Sequence, residues 1–555
     1  MNGRIVIYSA LARLWGNYNS TKQPGGSLAL NGSGKFSSWD EAALRYIKSL
    51  GCTHLWLIGV LEHATAESYP GIDADPEELV KGIAGSPYAV RDYYDVAPEL
   101  AEVVEHRMEE FESLVQRVHR AGMRLMIDFI PNHVARSYHS DVAPPDICDL
   151  GAADDTSSAF SRDNNFYYIL EQELQLPDGG TYREYPAKAT GNDCFTAYPS
   201  RGDWYETIKL NYGVDYQGGG HQHFEPIPRT WQQMYSILEY WAAKGVDGFR
   251  CDMAEMVPPA FWAWALPRLK ERYPLIFLAE IYQSHRYGEY VAAGFDYLYD
   301  KVGVYDTLRG IVRAEISADA FDPSRDAVGS LQSRMCYFLE NHDEQRFTSP
   351  YFAGQHRAIR PALAVAALSG IQPYLHYFAG ELGEAGMEAE GYSGLDGRTT
   401  IFDYWSLDSL RRLGRDYQGA ALEDAERDTL DYHRRILRLA SQHQLLAVAP
   451  YHGLNYLQGP GYDRHRLLSF VRYTAEGFVL VVANFSEEAQ RANLRFDTAV
   501  LQLLGCGSRS VYRVVDLLTD QESISCLTTF APYSLELEGY GVAILMFEPI
   551  NRNQD

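Results

Sequence analysis

Acidic side chains follow four apolar runs of the sequence, and each run has the length of one strand. The runs end in "DFIPNH" (128–133), "GFRCD" (248–252), "FLAE" (277–280) and "ENHD" (340–343). One Asp at a strand end is usually a helix cap or a turn residue, so no single segment indicates a site. Four such ends at one place would repel one another, and such a cluster is costly unless chemistry or a cation uses it.

Carboxylates that face one pocket suit the cleavage of a glycosidic bond. One carboxylate attacks the anomeric carbon as the anion, and a second, protonated one donates to the leaving oxygen. Arg250 precedes Asp252 by two residues and lies on the same side of the strand, so we expect it to hold Asp252 as the anion. Glu280 ends the apolar run "LIFLAE", where partial loss of solvent suits an acid that must keep its proton.

The elements that position these residues alternate along the first 446 residues. Near-continuous apolar runs are typical of parallel strands buried on both faces. The predicted strands cover 4–11, 53–60, 124–134, 247–252, 275–282, 295–300, 334–343 and 372–380, with helices near 38–50, 106–121, 230–244, 260–273 and 357–369. Eight such units predict an α/β fold, a (β/α)8 TIM barrel, whose active site lies at the carboxyl ends of the strands.

Two regions depart from this alternation. Residues 135–229 are rich in Gly, Pro, Tyr and Asp and too long for a loop, so we expect an inserted subdomain after strand three. Residues 447–555 change to a period of two, which predicts a C-terminal antiparallel β-sandwich. The predicted domains are therefore the barrel (1–134 and 230–446), the inserted subdomain (135–229) and the sandwich (447–555).

The four acidic segments, in this order and at strands three, four, five and seven, resemble the signature regions of the α-amylase family, glycoside hydrolase family 13. The resemblance implies that Asp252 is the nucleophile, Glu280 the general acid/base and Asp343 the residue that stabilises the charged transition state. It also implies contacts to the sugar at the cleavage point. The residues that match these contacts are Tyr88 in "GSPYAVRDYYDV" (85–96), His133, Arg250 and His342.

Other positions depart from the family pattern or stay open. Glu255 and Met256 stand where many amylases carry Lys and His, and Lys209 replaces an acidic residue ahead of strand four. Asn132 matches a ligand of the family's structural Ca²⁺, and it could equally be a hydrogen-bonding brace. Trp204, with Tyr205 beside it, could form a sugar platform or belong to the core of the insert.

The resemblance implies a retaining α-glycosidase of α-amylase type that hydrolyses α-1,4-glucosidic bonds in maltooligosaccharides or starch-like glucans. A transglycosidase, such as a maltosyltransferase acting on an α-glucan with a sugar phosphate, is the alternative within the same chemistry. Arg136 and Arg286 are conceivable members of the phosphate pocket that it would need. A non-catalytic barrel protein is a third possibility.

Charge, apolar runs and cysteine content further limit the partners, metal sites and location that we expect for this protein. A formal net charge of −25 repels polyphosphates, so we expect no nucleic-acid partner. The sequence has no apolar run long enough to span a membrane. Its seven scattered cysteines predict neither a disulfide framework nor a zinc site. The segment "MNGRIVIYSALARLWGNYN" lacks signal-peptide features, so we expect a cytoplasmic protein.

Overall fold

Eight parallel strands close into a barrel at the centre of the computed structural model, which describes residues 4–145, 147–505 and 510–550. The strands are β1 (Val6–Leu11), β2 (His54–Ile58), β3 (Arg124–Phe129), β4 (Gly248–Cys251), β5 (Ile276–Ala279), β6 (Tyr297–Tyr299), β7 (Met335–Phe338) and β8 (Tyr374–Tyr377). Because β1 pairs with both β2 and β8, the ring is complete. The predicted (β/α)8 barrel is confirmed.

Amphipathic helices alternate with these strands. Glu41–Ser49 is typical, because the side chain of Asp40 accepts a hydrogen bond from the N–H of Ala43 at its start while Leu44 and Ile47 enter the core. The five predicted helices all form. The α-helices of the described residues are Leu28–Asn31, Glu41–Ser49, Arg107–Arg120, Arg229–Ala243, Pro259–Arg272, Tyr287–Ala292, Asp306–Val312, Phe321–Asp326, Ile359–Leu368, Asp408–Leu413, Asp424–Gln442, Gln444–Val448 and Thr498–Leu503.

The pairing register sets the carboxyl ends of three neighbouring strands at one level. Cys251 at the end of β4 lies beside Phe129 of β3 and Ala279 of β5. The next residues along β4 and β5 are Asp252 and Glu280, so both carboxylates leave the barrel side by side. This placement follows from the parallel ladder, in which equivalent strand ends share one edge.

Between β3 and the helix Arg229–Ala243, the strands of the described residues are all short: His133–Ala135, Tyr168–Ile169, Ala187–Lys188, Thr207–Lys209, Val214–Asp215 and His221–Gln222. His133–Ala135 pairs antiparallel with Thr207–Lys209, which ties the insert to the exit of β3. A ribbon of Leu61–His63 and Val90–Val96 follows β2. Sequence analysis did not predict this ribbon, because its first strand is only three residues long.

The C-terminal region is antiparallel. Its strands are β9 (Tyr451–Gly453), β10 (Leu467–Thr474), β11 (Gly477–Asn484), β12 (Gln490–Leu494), β13 (Ser510–Asp516), β14 (Glu522–Leu527), β15 (Tyr533–Leu537) and β16 (Val542–Pro549). One sheet has the order β9-β10-β11-β16-β13-β14, and β12 pairs with β15 in a second. Phe478, Val482 and Phe547 lie in the core of this region. The predicted antiparallel sandwich is confirmed.

Two further expectations concern the chain as a whole. Six cysteines are free thiols, and Cys506 lies outside the described residues. Across residues 4–145, 147–505 and 510–550, every helix is too short or too polar to cross a membrane.

Candidate active site

The guanidinium of Arg250, fully buried at the end of β4, is the centre of the site. Its Nη1 donates to Asp252 Oδ1 at 2.6 Å, and its Nη2 forms an ion pair with Glu280 Oε2 at 2.9 Å. Nη1 also reaches Asp128 Oδ1 at 3.4 Å. One planar cation thus links the strand ends of β3, β4 and β5, and it fixes where two candidate catalytic carboxylates point.

The charges around Arg250 do not balance, because three carboxylates face one guanidinium. Burial raises the pKa of Asp252 well above its usual range; Arg250 opposes this rise, while Glu280 and Asp128 add to it. Burial likewise raises the pKa of Asp128 to about 6. The expectation that Arg250 alone keeps Asp252 ionised is therefore incomplete. The excess of carboxylates over cations favours a proton within the cluster, and double displacement requires a proton on one of the two reacting carboxyls.

Three groups hold the carboxylate of Glu280. The Tyr282 hydroxyl donates to Oε1 at 2.6 Å, while the Met253 N–H donates to Oε2 at 2.8 Å, the same oxygen that faces Arg250. Met253 has a left-handed backbone with φ 42°, which is uncommon for a residue other than glycine and turns its N–H toward this oxygen. Sequence analysis missed Tyr282. The only indication in the sequence was that a tyrosine follows Glu280, a candidate acid, by two residues.

Asp343 follows β7 and faces the pocket, with 43% of its side chain exposed. Burial disfavours its ionised form, but the charge and hydrogen bond of His342 outweigh that effect and, with Arg250 and Arg398, lower the pKa of Asp343 to about 2. His342 is hydrogen-bonded to the Tyr88 hydroxyl at 2.7 Å and stacks on the ring of Tyr88. Asp343, His342 and Tyr88 therefore form one wall of the pocket, with the carboxylate ionised.

His133 also lines the pocket and packs against Trp204 of the insert, with ring centroids 5.2 Å apart. Burial and the nearby Lys209 ammonium lower the pKa of His133 to about 3, so its imidazole is neutral. The structure thus places Trp204 in the pocket wall, one of the two positions left open above. All seven predicted catalytic and substrate-binding residues lie on or around this pocket.

The pocket has a volume of about 370 Å³ and mixes aromatic with ionisable side chains. It is lined by Lys81, Ser86, Tyr88, His133, Trp204, Glu206, Thr207, Asp252, Met253, Glu280, Tyr282, His342, Asp343, Ile401 and Phe402. Sequence analysis missed Lys81, Glu206 and Phe402, because they come from loops far apart in the chain and carry no motif. Lys81 Nζ pairs with Glu206 Oε1 at 2.5 Å at the edge of this cavity.

Glu255 acts on the loop that follows Glu280. Its Oε2 accepts hydrogen bonds from the N–H groups of Tyr282 and Gln283, at 3.1 and 3.0 Å. Its backbone carbonyl accepts from Arg286 and from the Tyr290 hydroxyl. Glu255 thus braces the segment that carries Tyr282, and neither Glu255 nor Met256 lines the pocket.

The residue implied as a calcium ligand, Asn132, already has a cation beside it. Lys209 Nζ donates to Asn132 Oδ1 at 2.8 Å and pairs with Asp193 Oδ1 at 2.6 Å. The other side-chain atom of Asn132, Nδ2, donates to the carbonyl of Gly191. A Ca²⁺ ion needs six to eight oxygens directed at it, and here the amide oxygen is directed at an ammonium. These residues do not fit a calcium ion.

A separate acidic group lies outside the pocket, where Glu62, Asp92 and Asp141 bring oxygens within 4.8 Å of one another. Burial raises the pKa of Glu62 to about 8 and that of Asp92 to about 7, so both hold protons at neutral pH more readily than ordinary carboxyls. The Arg91 guanidinium stands 3.7 Å from Glu62 Oε1.

Comparisons with known proteins agree with this geometry. A model of the α-amylase catalytic domain matches residues 41–177. Alpha-amylase 3 of Dictyoglomus thermophilum is 22% identical over 71% of this chain and 71% of its own length. An α-1,4-glucan:maltose-1-phosphate maltosyltransferase of Mycolicibacterium smegmatis is 27% identical over 30% of this chain and 24% of its own.

A solved structure, a noncanonic maltogenic α-amylase of Thermotoga neapolitana, superposes with a TM-score of 0.63 at 20% identity and covers 98% of both chains. At this identity the superposition shows a shared fold. The domain match, the relative aligned over 71% of both chains and the acidic segments at the ends of β3, β4, β5 and β7 agree with one another. The chain is therefore similar to the α-amylases, by its domain match over residues 41–177 and by a relative aligned over 71% of its length.

Proposed function

We propose that this chain is a retaining α-glycosidase that hydrolyses α-1,4-glucosidic bonds in maltooligosaccharides or starch-like glucans by double displacement. The observation that carries the proposal is the single guanidinium of Arg250 between Asp252 and Glu280. Carboxylates held by one guanidinium are close neighbours, as in retaining enzymes, where they stand about 5–5.5 Å apart. An inverting enzyme needs about 6.5–9.5 Å, to leave room for a water molecule.

The first step forms a bond between Asp252 and the anomeric carbon of the sugar. Asp252 must attack as the anion, so the proton of the carboxylate cluster must reside on Glu280 when the glucan is bound. Glu280 gives this proton to the leaving oxygen as the glycosidic bond breaks. In the second step Glu280 takes a proton from water, the water oxygen attacks the same carbon, and the bond to Asp252 breaks. Two inversions give net retention.

The remaining residues have roles around the sugar. We assign Asp343, ionised beside His342, to the hydroxyls of the sugar and to the positive charge that develops on its ring. Tyr88 offers a ring face for stacking, and neutral His133 offers a hydrogen bond without adding charge. Trp204 extends the apolar surface on the side of the insert, and such surfaces suit the flat faces of glucose units.

The alternative function, a transglycosidase that uses a sugar phosphate, is less well supported by the residues that line the pocket. Among the lining residues in the described part of the chain, Lys81 is the only lysine or arginine, and Glu206 neutralises it. Arg136 pairs with Glu184 within the insert, and Arg286 pairs with Glu289. Neither arginine lines the pocket. Transfer to a neutral sugar acceptor remains compatible with the same two carboxylates.

Product analysis tests the proposal. Maltoheptaose is incubated with the protein, with and without maltose 1-phosphate, and products are sized while proton NMR follows the anomer released first. We expect shorter oligosaccharides in the α configuration and no response to the phosphate. Asp252→Asn is the matched control, since it removes the nucleophile with little change in volume. Normal turnover by this variant would refute the assignment, and longer products that require maltose 1-phosphate would favour the transferase.

The intact carboxylate set also argues against a non-catalytic barrel, because Asp252, Glu280 and Asp343 all face one cavity. A cytoplasmic location and the absence of a nucleic-acid partner stay predictions. Cell fractionation with an antibody against the chain would check the first, and a gel-shift titration with duplex DNA and single-stranded RNA would check the second.

A further inference from the structure

Lys209 places a full positive charge inside the junction between the barrel and the insert. Its side chain is 1% exposed, and its ammonium lies 2.6 Å from Asp193 Oδ1 and 2.8 Å from Asn132 Oδ1. The ring of Tyr216 stands 5.3 Å from Nζ, in the geometry of a cation–π contact. A buried lysine needs such partners, because an unpaired charge in the protein interior is strongly disfavoured.

The partners of Lys209 come from two different parts of the fold. Asn132 lies at the exit of β3, where its backbone carbonyl also accepts the N–H of Leu210. Asp193 belongs to the insert and has a left-handed backbone, φ 67°. The ammonium therefore joins the insert to the rim of the barrel, at the residue that directly precedes the pocket residue His133.

Asn132, one of these partners, is the residue that the family resemblance implies as a calcium ligand. A divalent ion there would need the amide oxygen of Asn132 and the carboxylate of Asp193, and both are directed at Nζ. An ammonium and Ca²⁺ within a few ångströms would also repel each other with little solvent between them. The two cations are mutually exclusive at this place.

We propose that the Lys209 ammonium is the built-in cation of this junction, so that the insert is anchored to the barrel without calcium. The proposal explains why a lysine stands where an acidic residue is usual. A second negative charge beside Asp193 attracts a metal ion, whereas a lysine supplies the positive charge from the chain itself. The Lys209 charge is part of the chain and is therefore always in place, whereas the occupancy of a bound Ca²⁺ ion would depend on the calcium concentration.

Thermal melting in the presence of chelator or calcium tests the proposal directly. For the wild-type chain we expect the same Tm in EDTA and in millimolar CaCl2, within the error of measurement. Lys209→Met removes the charge and keeps most of the volume, and we expect its Tm to fall by roughly 3–6 °C, with no recovery in calcium. Asn132 and Asp193 then lack a cation, but they offer too few oxygens to bind one.

Lys209→Asp should convert the junction into a calcium site, since two carboxylates and one amide oxygen then face the same point. We expect a low Tm in EDTA and a saturable rise with CaCl2. Lys244→Asp, which breaks a surface pair with Glu112, is the matched control and should not respond. The response of Lys209→Asp should persist when Asp141→Asn removes a carboxylate of the separate acidic group.

Two results would overturn the proposal. One is a fall in the wild-type Tm on chelation, which needs no variant to fold. The other is a folded Lys209→Asp variant whose Tm ignores calcium while it falls as far as that of Lys209→Met, because Lys209 would then be an ordinary buried lysine and not the occupant of a cation site.

Discussion

Removing the hydroxyl of Tyr282 should weaken the acid step and leave the fold unchanged. In the structure this hydroxyl donates a 2.6 Å hydrogen bond to Glu280 Oε1, and Tyr282→Phe removes it while keeping the ring. A hydrogen bond to a charged group contributes about 1.5–3 kcal/mol. If that energy is lost from the transition state, kcat/KM falls by about 10- to 150-fold. Arg250 and the Met253 N–H still hold Oε2, so the loss should not be larger.

The assay compares leaving groups that need different amounts of help from an acid. Kcat/KM is measured for phenyl and 2,4-dinitrophenyl α-maltosides, because it reports the first irreversible step. Dinitrophenolate leaves without protonation, whereas phenolate and sugar oxygens need the proton of Glu280. We expect the full loss with the phenyl substrate and a loss several times smaller with the dinitrophenyl one.

Tyr287→Phe is the matched control, since the buried Tyr287 hydroxyl has no hydrogen-bond partner among the described residues. It should leave both substrates unaffected. Equal losses on the two substrates in Tyr282→Phe would mean that the ring merely shapes the pocket. Unchanged kinetics would mean that the hydroxyl does not act on Glu280 at all.

Three further predictions rest on separate contacts. Glu255→Ala should lower kcat about tenfold with little change in KM, because it releases the loop after Glu280, and Glu255→Gln should recover most of the rate. Trp204→Ala should raise KM several-fold at nearly constant kcat; a loss confined to kcat would contradict its role as a wall beside His133. Burial raises the pKa of Glu62 from 4.5 to about 8, so its folded form keeps a proton that the unfolded chain releases. Its contribution to stability is therefore complete below pH 4.5 and lost as the pH rises to about 8. Glu62→Gln should flatten this fall in Tm, and an unchanged slope would refute it.

The barrel and its catalytic edge could be predicted because parallel strands leave strong signals. Runs such as 125–127 and 276–279 are apolar throughout, as expected of strands buried on both faces, and the polar residues that follow them, Asp128 and Glu280, mark the strand ends. Once the strand ends are known, parallel pairing brings Asp252 and Glu280 together without further information. The chemistry of the centre therefore follows from local sequence.

The rest of the site depends on contacts between distant segments. Lys81, Glu206 and Phe402 reach the pocket from three loops, and nothing in their neighbouring residues indicates it. The charge state of Asp252 could not be predicted from the sequence either, because it depends on Asp128 and Glu280 as well as on Arg250. The fit of a metal at Asn132 was undecided for the same reason: Lys209, 77 residues away in sequence, supplies the deciding contact.

Trapping the covalent intermediate tests the central claim most directly. The chain is incubated with a fluorinated maltosyl fluoride, whose electron-withdrawing substituent slows release of the sugar from the enzyme more than its attachment, and is then digested and analysed by mass spectrometry. We expect one added maltosyl unit on the peptide that contains Asp252, esterified to its carboxylate. A sugar attached to Glu280, Asp343 or Asp128 would contradict the account, as would turnover of the reagent with release of the β anomer.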